Sequence, residues 1–232
     1  MRLLLTSAGV TNESIRRALV DLLGKPISEC KAAYIPTAIY ASPGGPAYVW
    51  QGLQQMAELG WAEIAVLELT ALPSVLEEHW VPNLEAADVV IVNGGNTCYL
   101  SYWFFESGLA KRLPKLLKNK VYFGVSAGSA MVTHSLNIDR SVLRKSGVYY
   151  DDEYDEAAPP GAGSNKTLKL VPFLVRPHLN ADYFPVATLE LFSKAAAKVK
   201  VPLYAIDDQT AIKVVDDRVE VVSEGQWKLF NG

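Results

Sequence analysis

Apolar residues along this chain fall into short runs separated by stretches with helical spacing. Arg2–Ser7, Lys31–Pro36, Glu63–Glu68, Ala87–Asn93, Lys120–Val125, Val171–Pro177 and Val201–Ile206 read as strands. Several are apolar without interruption, as in Val89-Val90-Ile91-Val92, the pattern of strands covered on both faces. Between them, Glu13–Leu23, Ala47–Leu59, Tyr99–Leu117 and Val186–Lys198 have helical periodicity, with Asn12 and Ser14 as candidate N-caps for the first. This alternation predicts an α/β fold, a three-layer arrangement with a mostly parallel sheet and helices on both faces. Towards the C-terminus, Ala211–Val215 and Val219–Val222 flank Asp216-Asp217-Arg218 and predict a closing β-hairpin. There is no internal repeat, and residues 1–232 read as a single domain able to bury one sizeable core.

One stretch breaks the order. Residues 147–166 contain Tyr149-Tyr150, the acidic run Asp151-Asp152-Glu153-Tyr154-Asp155-Glu156, and Pro159-Pro160-Gly161. By composition this is a solvated loop, although long loops in compact domains often carry function. Half of all residues are hydrophobic and the net charge is −3, with acids and bases interleaved. No basic stripe invites nucleic acid. The opening Met1-Arg2-Leu3-Leu4-Leu5 is too short for a signal-peptide core, and no apolar run is long enough to span a bilayer. Two cysteines, Cys30 and Cys98, form no CxxC, which fits a reduced, cytoplasmic setting.

The sharpest chemical signal is Gly124-Val125-Ser126-Ala127-Gly128, a G-x-S-x-G between a predicted strand and a helical stretch. In such an elbow the serine hydroxyl is pushed out of the sheet, and the N–H groups of the following helix can face a developing oxyanion. A serine hydroxyl needs a neighbouring base, and the chain has three histidines. His79 lies in a polar connecting segment, and His134 sits too far along the helix after Ser126 to reach back. His178 ends a predicted strand, just after Pro177, at the sheet edge where sites in parallel α/β folds gather. Gly94-Gly95-Asn96-Thr97 follows the most continuously apolar strand. Its backbone can approach a substrate carbonyl, and Asn96 or Thr97 can cap the next helix. No phosphate-cradling glycine motif is present, and the histidines and cysteines lack metal-ligand spacing, so neither cofactor nor metal is expected.

Together these residues resemble the serine peptidase family that holds peptidase E and cyanophycinase (family S51). Leu3-Leu4-Leu5-Thr6-Ser7 looks like its first strand, Ala33-Tyr34-Ile35-Pro36 its second, Gly94-Gly95-Asn96-Thr97 its Gly-Gly-Asn-Thr loop, and Pro177-His178 its histidine motif. The resemblance implies a fold like the class I glutamine amidotransferases, flavodoxin-like in its layers, with serine at the elbow. It also implies hydrolysis of short peptides bearing an N-terminal aspartate through an acyl-enzyme. The oxyanion donors would be the backbone N–H groups of Gly95 (or Gly94) and Ala127. The family's triad acid falls between serine and histidine. At the position it would occupy this chain has Ser141, and the nearest acid is Asp139, at the same strand parity. Asp139 is therefore the expected third member, with Glu153, Asp155 and Glu156 as open alternatives.

An aspartyl side chain calls for a nearby cation, best supplied by arginine. The segment after His178 carries no base until Lys194, and Arg176, Arg140 and Arg144 read as surface residues. Asp207-Asp208-Gln209-Thr210-Ala211 also resembles a family segment and reads as a structural link to the hairpin. The expected partner is a small peptide, with the chain a monomer or homodimer. Two further readings stay open on these residues: an esterase of the α/β-hydrolase class, and a non-catalytic ligand-binding protein on the same fold.

Overall fold

A computed structural model describes residues 1–42, 44–136 and 166–232. Its strands are β1 (Arg2–Thr6), β2 (Lys31–Ile35), β3 (Glu63–Val66), β4 (Val89–Val92), β5 (Val121–Val125), β6 (Leu174–Arg176), β7 (Leu203–Ile206), β8 (Thr210–Val215), β9 (Arg218–Ser223) and β10 (Trp227–Phe230). The helices are α1 (Glu13–Leu23), α2 (Gly45–Glu58), α3 (Val81–Ala86), α4 (Thr97–Glu106), α5 (Leu109–Leu116), α6 (Ala127–Met131) and α7 (Leu189–Ala196). The main sheet runs β3-β2-β4-β5-β1-β8-β9. Its first five strands are parallel, and β8 and β9 continue it antiparallel, with β8 paired to β1.

Period-two alternation sends successive strand residues to opposite faces, and here both faces are buried. Leu3 and Leu5, Ala33 and Ile35, Val90 and Val92, and Tyr122 pack on one side with Leu100, Phe104 and Leu113 from α4 and α5. Leu4, Tyr34, Ile91 and Phe123 pack on the other with Ile15, Leu19 and Leu22 from α1 and Met56 from α2. The uninterrupted apolar strands follow from this double coverage. Asn12 caps α1, its Oδ1 accepting the Ile15 N–H at 2.9 Å, and Gly24 at φ 73° ends the helix. The continuous helix expected over Tyr99–Leu117 is instead α4 and α5, divided at Ser107-Gly108.

The predicted strands near residues 171–177 and 201–206 form, but they do not enter the main sheet. They pair with each other in parallel as β6 and β7, and β10 adds antiparallel to give a second, three-stranded sheet. The hairpin β8–β9 occupies the β1 side of the main sheet, and β6 and β7 pair with each other apart from it. Leu174, Leu203 and Ala205 of this small sheet are covered by Phe192, Ala195 and Ala196 of α7.

Candidate active site

Ser126 sits between β5 and α6 at φ 50° and ψ −107°. For a residue with a Cβ this conformation costs on the order of 1–3 kcal/mol and persists only where the surroundings hold it. They hold it firmly. Ser126 N–H donates to Thr6 O at 3.0 Å, Ser129 Oγ donates to the same carbonyl at 2.7 Å, and the Tyr122 hydroxyl donates to Gly128 O at 2.6 Å. Gly128 packs so tightly on β4 that a Cβ there would lie 2.1 Å from Val92 O.

Two pairs of parallel strands bring the remaining groups to this point. In the main sheet Thr6 of β1 pairs with Val125 of β5, so Ser7 and Ser126 leave neighbouring strands at the same edge. In the small sheet Arg176 of β6 pairs with Ala205 of β7, so His178 and Asp208 emerge together. His178 adopts φ 63°, and its ring lies between the two edges. Nε2 is 2.8 Å from Ser126 Oγ, and Nδ1 is 2.8 Å from Asp208 Oδ1. Phe184 and Tyr183 flank the imidazole, with ring centroids 5.4 and 5.5 Å away.

Hydrogen-bond bookkeeping fixes the imidazole proton. Burial acts to raise the Asp208 pKa, but hydrogen bonds from His178, Ser7 and Tyr183 outweigh it and bring the carboxyl down to about 2. Asp208 is therefore an ionised acceptor. Ser7 Oγ donates to its Oδ1 at 2.5 Å, and the Tyr183 hydroxyl donates to its Oδ2. Burial, and then that donation into Asp208, push the Tyr183 phenol up, so it stays protonated. With an ionised acceptor against Nδ1, the proton belongs on Nδ1, and Nε2 presents a bare lone pair to the Ser126 hydroxyl.

The serine and imidazole open into a cavity of about 740 Å³. Gly94, Gly95 and Ala127 line it beside Ser126, and Gln51, Gln55 and Asn93 give it a neutral polar wall. Arg176 is also in the lining and is only 7% exposed. No Asp or Glu is among the described residues lining this cavity. Gly95, at φ 134°, packs against the turn Thr37–Ala41, where a Cβ would fall 2.3 Å from the Ala38 carbonyl.

The structure thus brings together Ser126, His178, Gly94, Gly95 and Ala127. Asn96 is fully buried, its Oδ1 accepts the Tyr99 N–H at 2.8 Å as the cap of α4, and it does not line the cavity. His79 and His134 are exposed. Asp139, Glu153, Asp155 and Glu156, and with them Arg140 and Arg144, lie outside the described residues. The carboxylate at His178 Nδ1 is that of Asp208, from the segment read as a structural link. Its neighbour Asp207 does fill that structural part, accepting from Gln209 N at 3.0 Å and Thr210 Oγ1 at 2.7 Å. Arg176, expected at the surface, is buried at the cavity. Among the described residues no group of His, Cys, Asp or Glu is placed to hold a metal ion, and no helix is long and apolar enough to cross a membrane.

Comparison with known proteins places the chain in a family and matches its fold. Residues 3–222 match the profile of peptidase family S51. Peptidase E of Streptomyces coelicolor is 29% identical in an alignment of 154 residues that covers 63% of this chain and 57% of that protein. The chain thus spans little more than half the length of that relative. A candidate peptidase E from Listeria monocytogenes EGD-e has the same fold, with a TM-score of 0.72 at 21% identity over 97% of this chain and 98% of that one. A peptidase from an acI-B1 actinobacterium superposes with a TM-score of 0.70 at 18% identity, covering 100% of this chain and 91% of that one.

Proposed function

The chain belongs to peptidase family S51, and on that premise we propose that it is a serine-type hydrolase of short peptides working through Ser126, His178 and Asp208. The observation that carries this reading is one imidazole held at 2.8 Å from both the Ser126 hydroxyl and the Asp208 carboxylate. Nε2 takes the Ser126 proton as Oγ attacks the scissile carbonyl carbon. Asp208 keeps the ring in the reactive tautomer and balances the imidazolium. The backbone N–H groups of Ala127 and Gly95 (or Gly94) receive the oxyanion. The imidazolium then protonates the leaving amine, the acyl-enzyme remains on Ser126, and water cleaves it with His178 again as base.

The preferred substrate in this reading is a dipeptide with an N-terminal aspartate. Its support is Arg176, a buried cation in the cavity lining. A guanidinium fork suits a carboxylate through paired hydrogen bonds. The test is an Asp-Xaa dipeptide panel with wild type and Ser126→Ala. Turnover should fall by at least about 10³-fold in the variant. Equal turnover by both proteins would end the proposal.

A further inference from the structure

Ser7 has no part in the chemistry just described, yet its hydroxyl touches both groups behind the nucleophile. It is the first residue beyond β1 and is fully buried. Its Oγ accepts the main-chain N–H of His178 at 2.8 Å, donates to Asp208 Oδ1 at 2.5 Å, and lies 3.2 Å from His178 Nδ1. A hydroxyl has one proton and two lone pairs. The proton goes to Asp208, which cannot donate. One lone pair takes the His178 N–H, and the other faces the Nδ1 proton. Every hydrogen-bonding capacity of this side chain is therefore directed at the site.

These contacts reach where position is most exacting. His178 is a non-glycine residue at φ 63°, a conformation kept only when its neighbours enforce it. The bond from its N–H to Ser7 anchors that residue to the main sheet, whereas its own strand, β6, belongs to the small one. The main chain at Asp208 is held separately, because Thr11 Oγ1 donates to Asp208 O at 2.6 Å. Loss of the Ser7 hydroxyl would leave that loop and the Tyr183 bond to Asp208 in place, while removing the side-chain tie that holds the carboxylate and His178 to the end of β1.

We propose that Ser7 is a positioning residue, whose single hydroxyl fixes the His178 imidazole and the Asp208 carboxylate relative to the sheet bearing Ser126. The proposal rests on the serine-hydrolase reading above. The experiment is labelling of the intact protein by a fluorophosphonate at increasing probe concentration. It compares wild type, Ser7→Ala, Asp208→Asn and the double variant, with Ser126→Ala as blank and a thermal melt of each. Ser7→Ala should lower the maximal labelling rate on the order of 10- to 100-fold, with the half-saturating concentration within about twofold of wild type. In the Asp208→Asn background the same change should cost less than about threefold, since both residues act through one imidazole. Ser7→Cys fills the site with a slightly larger atom that bonds only weakly. It should also lose at least about tenfold, and it carries the test if the alanine variant does not fold. Wild-type labelling rates in the Ser7 variants, an equal loss in both backgrounds, or a loss confined to half-saturation would overturn the role of Ser7 alone. No labelling of wild type would instead overturn the hydrolase reading, and Ser7's role with it.

Discussion

Asp208 meets His178 because their strands are parallel neighbours. Arg176 of β6 lies opposite Ala205 of β7, and Leu179 N–H donates to Ile206 O at 3.0 Å just beyond them. Both chains therefore leave the small sheet at one edge. The carboxylate comes against Nδ1 while the opposite ring edge is presented to Ser126. The following predictions depend on this geometry and on the packing around it.

Replacing Asp208 should remove the ring's orientation and the counter-charge together. Asp208→Asn is expected to lower kcat/KM on Asp-Xaa dipeptides by on the order of 10³- to 10⁴-fold. Asp139→Asn should stay within a few fold of wild type. Steady-state kinetics of the two variants decide the matter, and the reverse ranking would return the acid's role to Asp139.

The same carboxylate should leave a mark on acid stability. Its pKa is about 2 in the folded protein, against 3.8 for a free aspartate. Its stabilisation is thus present above pH 4 and lost as pH falls towards 2. A shift of this size corresponds to about 2 kcal/mol. Urea unfolding at pH 5 and pH 2 should show wild type losing about that much more than Asp208→Asn. Parallel losses in the two proteins would contradict the assignment.

Gly128→Ala tests the elbow. The new Cβ would lie 2.1 Å from Val92 O, so α6 would have to lift from β4. A cost of about 3 kcal/mol or more is expected, read as a lowered melting temperature together with loss of fluorophosphonate labelling. A wild-type melt would show that the turn tolerates what its packing forbids.

Arg176→Lys keeps the charge and removes the planar fork. The KM for Asp-Xaa dipeptides should rise on the order of tenfold or more, with much less change for peptides that lack an acidic N-terminal residue. An equal loss on both classes would give Arg176 a purely structural role.

Much of this site can be read from the chain before folding, because Ser126 and His178 each follow an apolar run at a strand's C-terminal end. Short spacing within one motif is local information, and the G-x-S-x-G turn contains all of it. Asp208 is different. Nothing in the pattern at Leu203–Ile206 says that this strand pairs with Leu174–Arg176 rather than entering the main sheet, and that pairing is what carries Asp208 to the histidine. Two adjacent acids after a strand's end were the available signal. Only their hydrogen bonds separate Asp207, which ties the turn to Thr210, from Asp208, which faces the ring. Arg176 shows the same limit: a long cationic side chain at a strand end looks solvent-bound until the neighbouring cavity wall is known.

The nucleophile belongs to one sheet, while the imidazole and its counter-ion belong to another. In the proposed hydrolase, turnover is therefore a gauge of the seam between them. A molecule that keeps every strand and helix intact falls silent if that seam slips by about an ångström. Substitutions along it would be felt in turnover well before they register as unfolding.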